Sequence, residues 1–279
     1  MSEPADPPFR ERYGRWAVVA GASEGIGAVY ARAMAERGLD LVLLARRREP
    51  LERLAADLRA DTGVQVRVVP VDLSEPDAAA TVFAATAGLE VGMLMYCAGA
   101  DPNYAPLLSG PVESALALVR RNCAAPLTLC HHFAGDMARR GRGALVVLTS
   151  VTGLYGAPNM VAYSATKAFD LVMTEALWAE LRGHGVDVLA LVLGTTDTPA
   201  LRRALTERGL LDPEDTTPVA GAVTAEEVVA EAIANLSNGP TWFVGDQIRE
   251  FARRLALRTR SEAVGVLARH SDSVVAGSE

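Results

Sequence analysis

Trp16-Ala17-Val18-Val19-Ala20-Gly21-Ala22-Ser23-Glu24-Gly25-Ile26-Gly27 sets five apolar residues directly before three glycines spaced G-x-x-x-G-x-G. A short apolar run halted by glycine has the pattern of a buried strand feeding a loop. Gly25 to Arg37 follows with helical character, and Gly38 stands where a helix stops. Glycines between such a strand and helix let the backbone turn tightly and approach a pyrophosphate, with the helix N-terminus supplying positive potential. The stretch therefore predicts the first βα turn of a nucleotide-binding α/β sheet.

The same alternation runs along the chain. Strands are predicted at 41–44, 64–71, 92–97, 144–150, 186–193 and 241–244, and helices at 49–60, 76–87, 111–139, 163–182, 226–235 and 246–268. Pro126 marks an expected kink within 111–139. Near-continuous apolar strands alternating with helices imply a single doubly wound α/β domain, a parallel sheet of about seven strands covered on both faces. Residues 1–14 read as an N-terminal arm, 15–268 as the domain and 269–279 as a flexible tail. The rhythm breaks at 195–222, which carries Pro199, Pro213 and Pro218 around a short helical stretch at 201–208. A long irregular segment in a compact domain is expected to be functional, here a lid over the substrate.

Composition narrows the function. The 279 residues are 50% apolar and 22% charged with a net charge of −7, which argues for a globular fold and against a nucleic-acid partner. Cys97, Cys123 and Cys130 form no C-x-x-C pair, as expected of a reducing cytoplasm. Neither a signal peptide nor a run of eighteen apolar residues is present, so a cytoplasmic protein without membrane contact is expected. Cys130-His131-His132 offers no metal site, because adjacent helical residues point about 100° apart. Cys97 has no neighbouring histidine and reads as structural.

The second strand ends in Ala45 followed by Arg46-Arg47-Arg48, with no acid to meet ribose hydroxyls. Arginine suits a 2′-phosphate, so NADP(H) is favoured over NAD(H). Further on, Ser150 to Lys167 reads SVTGLYGAPNMVAYSATK. If Tyr163 opens a helix, Lys167 lies one turn on along the same face. An ammonium beside a phenol favours the phenolate, and a serine arriving from a neighbouring strand could hold a substrate oxygen against it. Such a group suits proton transfer to or from a carbonyl or alcohol.

Together these segments resemble the short-chain dehydrogenase/reductase family over about residues 12 to 250. The matches are Gly21-x-x-x-Gly25-x-Gly27, Asp72, Cys97-Ala98-Gly99, Asn122, Ser150, Tyr163-x-x-x-Lys167 and Gly194 to Thr198. The resemblance implies a Rossmann fold and a catalytic set of Asn122, Ser150, Tyr163 and Lys167. Tyr163 would be the general acid or base, and Lys167 would hold the nicotinamide ribose. Ser150 would position the substrate oxygen, and Asn122 would support a water linking Lys167 to solvent. It also implies cofactor contacts at Gly21, Ser23, Glu24, Gly25, Ile26, Gly27, Arg46 and Arg47, and from Asp72 and Leu73 to adenine. Cys97, Ala98 and Gly99 would meet the adenosine ribose, and Gly194, Thr196 and Thr198 the carboxamide and phosphates.

Three positions depart from the family. Cys97 replaces an asparagine whose amide it cannot reproduce. Leu193-Gly194 replaces Pro-Gly, and Glu24 puts an acid where NADP users often carry a base. Tyr13-Gly14-Arg15-Trp16 and Ala45-Arg46-Arg47 look like reductases of long-chain 3-oxoacyl or steroid type. The expected activity is interconversion of a hydrophobic ketone and a secondary alcohol, with Tyr104, Tyr155 and Met160 as candidate pocket residues. The alternatives are NAD-dependent alcohol oxidation at the same site and a non-catalytic NADP-binding regulatory protein. Apolar helices 111–139 and 163–182 imply, through the resemblance, a homodimer or homotetramer.

Overall fold

The computed structural model describes residues 9–100 and 104–276, with side chains described through residue 269. A short helix α1 (Phe9–Tyr13) leads into β1 (Trp16–Ala20), α2 (Gly25–Glu36), β2 (Asp40–Ala45), α3 (Arg48–Thr62), β3 (Val66–Pro70), α4 (Ala78–Thr86) and β4 (Val91–Tyr96). Then come α5 (Val112–Val119), α6 (Ala125–Arg140), β5 (Gly143–Ser150), α7 (Val161–Leu181), β6 (Val186–Leu193), β7 (Thr196–Asp197) and α8 (Pro199–Glu207). The chain continues through β8 (Val223–Thr224), α9 (Ala225–Ala234), β9 (Thr241–Phe243), α10 (Asp246–Ala256) and α11 (Arg260–Ala276).

Among the described residues, seven strands form one parallel sheet in the order β3-β2-β1-β4-β5-β6-β9. Every residue of β1, β4 and β5 is buried, as a sheet covered on both faces requires. Alternate side chains feed two cores. One face gathers Val19, Leu41, Leu43, Met95 and Val146 with Met34 of α2 and Leu51 of α3; the other gathers Val18, Leu44, Leu94 and Val147 with Phe133 and Met137 of α6. Full burial of one such side chain contributes about 1.5–3 kcal/mol. No helix among the described residues is long and apolar enough to cross a membrane.

Two helix expectations are corrected. The helix predicted at 111–139 is interrupted by a π-helical turn at Arg120–Ala124, with Pro126 in the first turn of α6 rather than at a kink. Pro126 has no N–H for the carbonyl four residues back, and the ladder widens so that the Ala125 N–H donates to Arg120 O. The single helix predicted at 246–268 is two. Thr259 accepts the Glu262 N–H at 3.3 Å while Glu262 Oε2 accepts the Thr259 N–H at 2.9 Å, a capping box that starts α11. That helix runs to Ala276, through most of the expected flexible tail, whose last three residues lie outside the described residues. At the other end, 9–13 of the expected arm is helical, and buried Tyr13 donates its hydroxyl to Asp187 at 2.9 Å; residues 1–8 lie outside the described residues.

Candidate active site

The strand order reverses between β1 and β4, and open α/β sheets bind ligands in the crevice beyond the strand ends at that point. The two loops there touch. A Cβ on Gly21, whose φ is +85°, would lie 2.8 Å from Ala98 N, and one on Gly27 would collide with Gly21 O. Gly21 N and Ala22 N donate to Leu44 O at 2.8 and 3.1 Å, which fixes the turn before α2. A tight glycine turn opening a helix, with Ser23 and Ile26 half-buried around it, fits a pyrophosphate.

The expected catalytic residues converge on the neighbouring ends of β4 and β5. Tyr163 lies in the first turn of α7, half-buried, with Lys167 Nζ 5.9 Å from its ring centroid. Thr149 at the end of β5 donates to Lys167 O at 2.7 Å, tying strand to helix. Lys167 is 3% exposed; its Nζ donates to Leu148 O at 2.8 Å and to Asp170 Oδ2 at 3.0 Å. Asn122, fully buried, sits in the π-helical turn. Its Nδ2 donates to Gly99 O at 3.2 Å and to Thr166 Oγ1 at 3.0 Å, and Thr166 in turn donates to Tyr163 O at 2.9 Å. The point where a Cβ on Gly99 would stand is 2.8 Å from Asn122 Oδ1 and 3.2 Å from Lys167 Nζ. Those two polar atoms therefore face one small gap. Ser150 Oγ accepts both the Thr152 N–H at 3.3 Å and the Thr152 hydroxyl at 3.1 Å, an arrangement that leaves its own proton for another oxygen.

Arg46 and Arg47 are exposed just beyond β2. Asp72 accepts both the N–H and the hydroxyl of Ser74, at 2.9 and 2.7 Å. Burial would raise its carboxyl, but those bonds and the Arg46 and Arg121 charges outweigh it and hold the group below its usual range. Leu73 is buried beside it. Glu24 does not face the site as a bare charge. Arg203 of α8 grips it at 2.9 and 2.5 Å and Arg47 pairs with it at 3.0 Å, and the Arg203 bonds lead the causes that lower its pKa against the cost of burial. Cys97 is pushed up to about 12 by burial, which makes it an inert packing residue.

The 195–222 segment is clamped at both ends by a two-residue parallel ladder between β7 and β8. Inside it, Arg202 holds Asp197 at 2.7 and 2.6 Å and donates to Asp215 O and Thr217 O. Thr198 caps α8 by accepting the Leu201 N–H at 3.2 Å, and a Cβ on Gly25 would come 3.2 Å from its Cγ2. Thr196 Oγ1 is buried without a hydrogen-bond partner, and Gly194 has Ile248 of α10 where a Cβ would go. α8 has no buried residue, and half-buried Leu201, Ala204 and Leu205 give it an apolar side. Its far end reaches Tyr104, over which Arg208 lies 4.8 Å from the ring centroid. Tyr155 donates to Leu255 O of α10 at 3.4 Å, and Met160 immediately precedes α7.

The family model of the short chain dehydrogenases matches residues 15–209. The chain belongs to that family. Among short-chain dehydrogenases it is similar to a 7beta-hydroxysteroid dehydrogenase of Collinsella aerofaciens, 37% identical over 87% of this chain and 90% of the relative. A solved structure of a 7beta-hydroxysteroid dehydrogenase superposes with a TM-score of 0.86 at 35% identity, covering 94% of this chain and 99% of that one. A short-chain dehydrogenase from Sphingobium yanoikuyae, solved in complex with NADPH, gives 0.75 at 31% identity, over 87% of this chain and 92% of that one. The chain is an NAD(P)-dependent short-chain oxidoreductase of the kind that includes steroid and 3-oxoacyl reductases.

Two site residues were not singled out from the sequence. Asp170 stands three residues after Lys167, but a lone acid in an apolar stretch of helix carries no pattern that marks it as part of a site. Arg203 meets Glu24 across 179 residues of chain, and no local pattern announces that pairing.

Proposed function

We propose that the protein interconverts a bulky, mainly apolar ketone and its secondary alcohol with NADP(H). The convergence of Asn122, Ser150, Tyr163 and Lys167 beside the glycine turn carries this reading. NADP(H) supplies or accepts the hydride. Tyr163 donates its phenolic proton to the carbonyl oxygen in reduction and takes it back in oxidation. Ser150 donates its free O–H to the same oxygen and holds it in place. Lys167, with two N–H groups committed to Leu148 O and Asp170, keeps one for the ribose hydroxyls and the gap shared with Asn122. A water bridging Asn122 Oδ1 and Lys167 would return protons from solvent.

Backbone N–H groups from Gly21 to Gly27 would cradle the pyrophosphate, with Asp72 and Leu73 at the adenine. Ala98 and Gly99, backed by Cys97, would meet the ribose, and Gly194, Thr196 and Thr198 the nicotinamide side. Arg46, free of any ion pair among the described residues, would take the 2′-phosphate, joined by Arg47. Glu24 does not oppose this, because its charge is already met by Arg203 and Arg47. Arg46→Ala is expected to weaken NADPH binding ~10-fold or more while leaving NADH binding unchanged. Equal loss for both cofactors, measured by nicotinamide fluorescence, would overturn the NADP(H) assignment.

The apolar side of α8, whose N-cap Thr198 stands against Gly25 of the glycine turn, and similarity to hydroxysteroid dehydrogenases support the substrate class. Initial rates of NADPH consumption across ketones graded from acetone-sized to polycyclic test it. Rates rising with size and apolarity support it; preference for small polar ketones contradicts it. We also propose a cytoplasmic homodimer formed through α5 and α7, where Leu116, Val119, Val161, Phe169 and Val172 are exposed. The double variant Phe169→Asp, Val172→Asp should sediment as a monomer, and an unchanged mass would place the interface elsewhere.

A further inference from the structure

Asp170 is the ionisable group at the site that the proposed chemistry leaves without a task. Its side chain is fully buried on α7, Oδ2 lies 3.0 Å from Lys167 Nζ, and Oδ1 has no hydrogen-bond partner. Two charges withdrawn from water do not improve on well-packed apolar side chains as a source of stability, so the pair calls for another role. The groups that face Asp170 are Tyr96 of β4, Cys123 of the π-helical turn, Cys130 of α6 and Lys167 itself, with Arg121 beyond Tyr96. Burial pushes Tyr96 well above its usual value, Cys123 up to about 11 and Cys130 up to about 12. None of those three changes charge between pH 5 and 8.

Lys167 is placed with unusual completeness. One N–H is fixed by Leu148 O and one by Asp170 Oδ2, and the last is left for the space beside Gly99, where Asn122 Oδ1 also points. Without Asp170 the ammonium would keep a single fixed acceptor and could swing about its flexible stem.

We propose that Asp170, as a carboxylate, is a positioning residue for Lys167: it anchors one N–H so that another is presented to the cofactor, and its protonation releases that anchor. The inference rests on the reading of Lys167 as a cofactor-holding group. Burial, opposed by Lys167, raises the Asp170 carboxyl to about 6, so anchor and release fall within a workable pH range.

The experiment is the NADPH dissociation constant of wild type and Asp170→Asn from pH 5 to 8, read by nicotinamide fluorescence. The amide mimics the protonated acid in shape. The variant-to-wild-type ratio cancels ionisations common to both titrations, including that of the cofactor's 2′-phosphate. The ratio is expected near one at pH 5 and to rise through a midpoint near 6. By pH 8 the variant should bind about fivefold more weakly. A ratio constant across the range, as a purely structural lesion gives, overturns the proposal, and so does tighter binding by the variant at pH 8. If Asp170→Asn does not fold, Asp170→Ser takes its place in the same ratio. Binding is read without turnover, so a protein that binds NADPH but reduces no ketone would defeat the functional reading while this ratio still decides the role of Asp170.

Discussion

Tyr163→Phe is expected to lower turnover by ~10²–10⁴-fold while NADPH binding stays within about twofold of wild type. The variant removes one oxygen and little else. Tyr163 is joined to its neighbours through its backbone carbonyl, which accepts from Thr166, and through its ring, beside which Lys167 stands; both survive in phenylalanine. The loss is thus confined to the proton that must reach the carbonyl oxygen as hydride arrives. In energy it corresponds to about 3–5.5 kcal/mol of transition-state stabilisation. Steady-state rates with NADPH and a bulky ketone, together with fluorescence titration, separate the two effects. Retained turnover would remove Tyr163 from the chemistry. Joint loss of turnover and cofactor binding would make its role structural.

Gly27→Ala is expected to act on the cofactor instead, weakening NADPH binding ~10-fold or more and destabilising the fold by ~1–3 kcal/mol. The added methyl would collide with Gly21 O and lie 2.8 Å from Gly21 C and 3.1 Å from Ala22 Cα. These are backbone atoms of the turn that would face the pyrophosphate, so no rotamer change relieves the contact, and the turn or the start of α2 must move. At this chain length the stability loss corresponds to a thermal shift of ~2–12 °C. Gly183→Ala is the control, since nothing lies within 4 Å of the methyl it adds, and its titration should match wild type. Wild-type NADPH affinity in Gly27→Ala would show that the turn does not carry the phosphates.

The sheet was largely legible because buried parallel strands leave a plain mark: Val91–Tyr96 and Gly143–Ser150 are buried at every residue, and continuous apolar runs say so in one dimension. The glycine turn and the Tyr163-x-x-x-Lys167 spacing could be read for a different reason, since each occupies a short stretch set by a local turn, whereas Asn122 entered only through the family resemblance. What escaped was set by geometry between distant segments or by competition for one hydrogen bond. The π-helical turn that buries Asn122 arises from the amide missing at Pro126, and a proline alone does not tell whether a helix bends or widens. The break before α11 was encoded in Thr259-Arg260-Ser261-Glu262, a capping signal hidden between two helical patterns. The shielding of Glu24 could not be read at all, because its partner Arg203 comes from α8, far along the chain.

The central claim is hydride transfer to a bulky ketone with Tyr163 supplying the proton, and isotope transfer tests it most directly. NADPH deuterated at the nicotinamide C4 would be incubated with the protein and a polycyclic ketone, and the alcohol analysed by mass spectrometry. The account predicts one deuterium on the carbinol carbon, and ~10²–10⁴-fold less labelled alcohol from Tyr163→Phe over the same interval. Tight NADPH binding with no deuterium in any product, across ketones of every size, would contradict it.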